Sequence, residues 1–95
     1  MQYIVYILRC KDGSLYTGIT GNLKRRIKEH LLGEVLYTKN RRPFEVVYIE
    51  RFKNRKEAAR REKEIKGWRH QKKEKLIERY LQREVASKRK SFKIS

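Results

Sequence analysis

Five side chains in this chain of 95 residues have types and spacing that could do chemistry: Tyr6, Tyr16, Arg26, His30 and Glu62. The chemistry they suit is cleavage of a phosphodiester. That reaction needs a proton acceptor for water, a cationic clamp on the phosphoryl oxygens and, as a rule, a divalent cation. Tyrosine is an uncommon base, because its unperturbed pKa is about 10. A guanidinium or a metal-bound water beside it would favour the phenolate. Arg26 offers a planar donor fork that matches phosphate oxygens. Glu62 offers a hard oxygen ligand, and one carboxylate plus waters and substrate phosphate is a workable magnesium site.

Each residue also has an ordinary use. Strand tyrosines usually pack, and this chain has six tyrosines. Arg26 could lie on a solvated helix face, and His30 on a surface or at a cap. Glu62 could pair with Arg26, Arg55, Arg60 or Lys66. On residue types alone, a non-catalytic nucleic-acid binder ranks ahead of an active site. Glu62 tilts the other way. It falls within an apolar stripe, four residues after Ala58 and three before Ile65. An inward acid is costly unless it is paired, protonated or bound to metal.

The elements that must position these groups can be read in order. Residues 2–9, QYIVYILR, read as a strand, and the nearly continuous apolar run suggests one covered on both faces. Lys11-Asp12-Gly13 fits a three-residue hairpin loop with Gly13 in the left-handed region. Cys10 then faces Ser14, Tyr6 pairs with Gly18, and Leu8 pairs with Tyr16. This register puts Tyr6 and Tyr16 on one face as diagonal neighbours, roughly 7–8 Å apart at the backbone. A two-residue loop would put them on opposite faces. Gly18 opposite Tyr6 leaves room for a ligand or a close backbone.

Residues 15–20 form the second strand. Asn22 is a good N-cap for a helix over 23–32 that Gly33 closes. Leu23, Ile27 and Leu31 make its apolar stripe, and Arg26 and His30, four apart, stack along one edge of it. Residues 34–43 read as an irregular basic loop, and 44–52 as a third strand. Asn54 caps a second helix, with Glu57 three residues later, and Gly67 ends it. A third helix covers about 72–82. Residues 84–95 read as a disordered basic extension, so the domain spans 1–83 and the tail 84–95.

Composition narrows the partners. Lys and Arg number 27 against 11 Asp and Glu, a net charge of +16. On so short a chain this points to a polyanion, most plausibly nucleic acid. Candidate phosphate contacts are Lys24, Lys39, Arg41, Arg42, Lys72 and Lys73. No apolar run approaches membrane-spanning length, and the N-terminal stretch lacks the marks of a signal peptide. The single Cys10 cannot form an internal disulfide, so a cytoplasmic, reducing setting is the expectation.

Three blocks, VYILRCKDGSLYTGIT, RRPFEVVYIERF and EAARREKEIKGW, together resemble the GIY-YIG nuclease superfamily, and within it the small stand-alone bacterial members (the UPF0213-like group). Ile4-Val5-Tyr6 and Tyr16-Thr17-Gly18 stand where the family has its two signature triplets. Ile4 replaces the first glycine, and Thr17 is the middle residue of the second triplet. The resemblance covers most of residues 3–80. It implies an α+β fold, a three-stranded antiparallel sheet flanked by helices. It implies an endonuclease dependent on Mg2+ or Mn2+ that acts on DNA, with branched, nicked or single-stranded forms as candidates. Tyr6 would be the general base or would orient it, with Tyr16 in support. Arg26 would hold the scissile phosphate with His30 beside it, and Glu62 would bind the metal. The alternatives are a nucleic-acid-binding module without turnover and an accessory subunit of the same fold.

Overall fold

Strands form where Tyr, Ile and Val crowd together, because branched and aromatic side chains pack well on a pleated surface. The computed structural model describes residues 2–94, with side-chain environments over 2–86. Strands β1 (Tyr3–Cys10), β2 (Leu15–Thr20) and β3 (Phe44–Phe52) make one antiparallel sheet in the order β2-β1-β3. Helices α1 (Leu23–Leu31) and α2 (Leu36–Lys39) lie between β2 and β3 in the chain. Helices α3 (Arg55–Lys66) and α4 (His70–Ile94) follow β3. The fold is therefore α+β, a three-stranded antiparallel sheet flanked by helices, as the sequence indicated.

The hairpin has the expected geometry. Gly13 has φ 83°, Cys10 N–H donates to Ser14 O at 2.9 Å, and Tyr6 pairs with Gly18 and Leu8 with Tyr16. The side chain of Asp12 accepts from Ser14 N–H at 3.0 Å, which tightens the turn. On the β3 side, a register shift between Ile7 and Leu8 leaves Val47 unpaired.

Alternation divides β1 between two cores. Val5 and Ile7 face α3 and α4, where they are buried with Tyr48, Ala58, Ile65 and Ile77. Fully burying an Ile or Val of this kind stabilises by about 1.5–3 kcal/mol. Tyr6 and Leu8 point to the other face, where α1 packs through His30.

Both capping asparagines act as expected. Asn22 accepts from Arg25 N–H at 3.0 Å, and Asn54 accepts from Glu57 N–H at 2.9 Å. Three features differ from the sequence reading. Leu31, expected in the inward stripe of α1, is 58% exposed, and the buried residue of that helix is His30. The loop over 34–43 contains the single helical turn α2, with Lys39 N–H bonded to Val35 O at 3.0 Å. One turn is too short to show a helical period, and a turn this short depends on tertiary contacts. Finally, α4 runs past Gln82 without a break. No glycine or proline follows Gly67 to stop it. The basic segment 84–95 thus begins inside this helix, and the side chains of 87–95 lie outside the described environments.

Candidate active site

The site starts from the close approach of Gly18 to Tyr6. A Cβ on Gly18 would lie 2.5 Å from both Cζ and Oη of Tyr6, and 2.9 Å from Cε1 of Tyr16. The missing side chain lets the Tyr6 ring lie across β2. The space that glycine leaves is filled by this ring. The Tyr6 and Tyr16 rings sit on one face with centroids 6.1 Å apart. His30 meets both edge-on, at 5.8 Å from Tyr6 and 4.9 Å from Tyr16. Phe44 and Tyr37 close the cluster, against His30 and Tyr16 respectively.

The hydrogen bonds have a definite order. Arg26 Nε–H can only donate, and it reaches Tyr6 Oη at 3.3 Å. His30 Nε2 lies 2.9 Å from the same oxygen. His30 Nδ1 lies 2.8 Å from Thr38 Oγ1, and Thr38 Oγ1 lies 3.4 Å from Val35 O. Tyr6 and His30 have no exposed surface at all, and neither has Thr38. Tyr16 is only half-buried, so of the two tyrosines it is the one that keeps surface in contact with solvent.

Burial sets the charges. It raises the Tyr6 pKa well above the ordinary phenol range and outweighs the opposing hydrogen bond from Arg26. Arg26 favours the phenolate, as expected of a neighbouring guanidinium, but burial opposes it more strongly and holds Tyr6 toward the neutral phenol. Burial, with Arg26 adding to it, lowers His30 to about 4, so its ring is neutral near pH 7. Arg26 moves the other way. Its NH1 donates to Glu29 Oε1 at 2.9 Å, and this carboxylate holds the guanidinium charged more firmly than usual.

Four of the five residues singled out in the sequence therefore meet. Glu62 stands apart. It lies on α3, whose buried residues Ala58 and Ile65 pack on the sheet face away from Tyr6. Its side chain is 18% exposed and pairs with Lys66 Nζ at 3.4 Å. Among the described residues, no hydrogen bond or ion pair joins it to the other four, and no group of three or more His, Cys, Asp or Glu could hold a metal. A single, largely buried carboxylate with only an ammonium partner still fits a cation that keeps most of its waters.

The basic residues divide. Lys24, Lys39 and Lys72 are exposed, Lys72 lying 4.3 Å from the Trp68 ring centroid, and Lys73 is half-buried. Arg41 and Arg42 are tied into the fold. Arg41 bonds Tyr37 O at 2.7 Å and pairs with Asp12 at 3.2 Å. Arg42 bonds Leu31 O at 2.8 Å and Lys39 O at 2.9 Å. Two hydrogen-bonding members of the cluster were not found in the sequence. Glu29 is three residues from Arg26, a helical spacing that could have exposed it. Thr38 has no such signal, because its link to His30 depends on where the α2 turn docks.

A three-stranded sheet with a buried Tyr–His pair capped by a part-exposed arginine on one face fits a domain of the GIY-YIG class. The GIY-YIG catalytic domain matches residues 2–76, and the chain belongs to that family. A UPF0213 protein of Staphylococcus haemolyticus is 51% identical over 78 residues, covering 81% of this chain and 95% of the relative. One from Oceanobacillus iheyensis is 50% identical over 78 residues, covering 81% and 91%. The solution NMR structure of a UPF0213 protein from Bacillus halodurans superposes with a TM-score of 0.56 at 47% identity, covering 82% of this chain and 84% of that one. No helix among the described residues is long and apolar enough to cross a membrane.

Proposed function

We propose that this chain is an endonuclease that hydrolyses DNA phosphodiesters with the help of a divalent cation. The observation that carries the reading is the buried Tyr6 hydroxyl, held between Arg26 and His30 at 3.3 and 2.9 Å. A core without a task would fill this place with an apolar ring, because each buried polar group must find a partner. Arg26 keeps a third of its side-chain surface exposed, enough for its fork to hold a phosphate. Tyr16 presents its hydroxyl beside that fork. Tyr6, wholly buried, orients the pair, and its proton is directed to His30. Glu62 would hold Mg2+ or Mn2+, and the ion would neutralise charge that develops on the phosphoryl oxygens. The net charge of +16 supplies attraction for the polyanion, with Lys24, Lys39, Lys72 and Lys73 as contacts. We place the protein in the cytoplasm.

One observation favours a second reading, a binding module or accessory subunit without turnover. Glu62 is paired with Lys66, and Arg26 with Glu29, so both functional charges are already partnered. Labelled linear, nicked, branched and single-stranded DNA, incubated with Mg2+ or Mn2+, separates the two. The endonuclease reading expects cutting by the wild type, and none by Glu62→Gln at equal DNA binding. Equal cutting by both proteins, or binding without cutting on every substrate, overturns it.

A further inference from the structure

We infer that Thr38 is a positioning residue that fixes His30 in the tautomer protonated at Nδ1, so that Nε2 remains a free lone pair for the Tyr6 proton. Its consequence for catalysis rests on the function proposed above. The tautomer itself does not.

One chain of contacts links Arg26 to Val35. Arg26 Nε–H is a donor only, so Tyr6 Oη accepts from it at 3.3 Å. The remaining proton of Tyr6 has an acceptor at 2.9 Å, His30 Nε2. A neutral imidazole has one N–H, and with Nε2 accepting, that N–H is at Nδ1. Its partner is Thr38 Oγ1 at 2.8 Å, and the Thr38 hydroxyl proton has Val35 O at 3.4 Å. Every polar atom then has a partner in a place with no exposed surface.

The opposite polarity is less favourable at both ends. Nε2–H would donate to an oxygen that already accepts from Arg26, and the Tyr6 proton would have to turn from His30 toward the Tyr16 hydroxyl beside it. Thr38 would have to donate to Nδ1 and release Val35 O. Other groups around the ring do not reverse this. Tyr16 meets it edge-on from β2, Phe44 meets it from β3, and on its own helix Arg26 is neutralised by Glu29. The tautomer is therefore set from both ends, by Arg26 through Tyr6 at Nε2 and by the Thr38 hydroxyl on α2 at Nδ1. Which ring nitrogen carries the proton is generally decided by the hydrogen bond made by the other one.

The test is long-range 1H–15N NMR on protein labelled at histidine. The chain has two histidines, and the second, His70, is largely exposed and on α4. Wild-type His30 should show a protonated Nδ1 and an unprotonated Nε2 from pH 6 to pH 8. Thr38→Ser should keep that pattern. Thr38→Val, close in shape but without the hydroxyl, should lose it, giving mixed tautomers or protonation at Nε2. A wild-type ring protonated at Nε2 overturns the inference, as does a folded Thr38→Val that keeps the wild-type pattern. If Thr38→Val does not fold, the wild-type and Thr38→Ser spectra still decide. With cleavable DNA, Thr38→Val should lower kcat by roughly tenfold or more at little change in KM, and Thr38→Ser should restore it. A wild type with the expected tautomer but no cleavage would refute the proposed function and leave this inference standing.

Discussion

The Tyr6 hydroxyl lies 2.9 Å from His30 Nε2, and neither side chain has any surface in contact with solvent. Two polar groups so deeply placed are each other's only means of satisfaction on that side. Removing one leaves the other stranded. Tyr6→Phe is therefore expected to lower stability by about 1–3 kcal/mol, the cost of an unpaired buried acceptor. It should also abolish cleavage. Urea unfolding would show a lower midpoint at an unchanged slope, which separates lost stability from a changed unfolded state.

The same burial gives a sign for the dependence on pH. His30 is held neutral in the fold, with its pKa lowered to about 4. In the unfolded chain an ordinary histidine titrates near pH ~6.5. Between those values the unfolded state binds more protons, so stability rises with pH through this window and falls on acidification. The full effect is on the order of 3 kcal/mol. The measurement is the difference in unfolding free energy between wild type and His30→Gln, followed from pH 7 to pH 4. That difference should shrink as pH falls. A difference that stays constant would mean that His30 does not carry the effect.

Gly18 offers a steric test. An added methyl would meet Tyr6 Cζ and Oη at 2.5 Å. The ring cannot swing away, since Tyr6 is enclosed and its hydroxyl is held from two sides. Gly18→Ala is expected to cost about 1–3 kcal/mol by overpacking. It should also move the Tyr6 and Tyr16 ring resonances together, and cleavage should fall with them. A variant with wild-type stability and unmoved rings would show that the contact is slack.

The hairpin register was legible because Gly13 and the alternation along β1 and β2 leave little choice, and that register put both tyrosines on one face. The caps at Asn22 and Asn54 were legible for the same local reason. What failed was whatever depended on docking. The apolar stripe of α1 pointed to Leu31, yet the sheet takes His30, because the hydroxyl of Tyr6 and α2 give an imidazole two partners. The carbonyl bonds of Arg41 and Arg42, which read only as candidate phosphate contacts, likewise depend on where α1 and α2 dock. The pull of the guanidinium on the Tyr6 proton was legible from charge. The desolvation that opposes it depends on how completely the helices cover Tyr6, and no local pattern carries that.

Arg42 has a place in the fold that can be tested. Its guanidinium joins the last turn of α1, through Leu31 O, to the end of α2, through Lys39 O. Those bonds hold in place the turn that carries Thr38. Arg42→Gln is expected to cost on the order of 1 kcal/mol, since bonds from a charged donor are strong but this one is exposed. Amide hydrogen exchange should speed up over 33–41, with the sheet unaffected. Unchanged exchange there would show that α2 holds without this staple.

Arg26 and Glu29 supply the last test. Nε is given to Tyr6 and NH1 to Glu29, so part of the fork is spent before any phosphate arrives. A phosphate must displace the carboxylate or share the guanidinium with it. Glu29→Gln removes the competing charge and leaves Arg26 bonded to Tyr6. Binding to a short DNA should strengthen several-fold, about 1 kcal/mol at low salt, with the gain shrinking as salt is added. The gain should vanish in Arg26→Gln, because the effect of Glu29 then has no guanidinium to act through. Equal strengthening with and without Arg26 would assign it to overall charge instead, and the pair would have no part in phosphate binding.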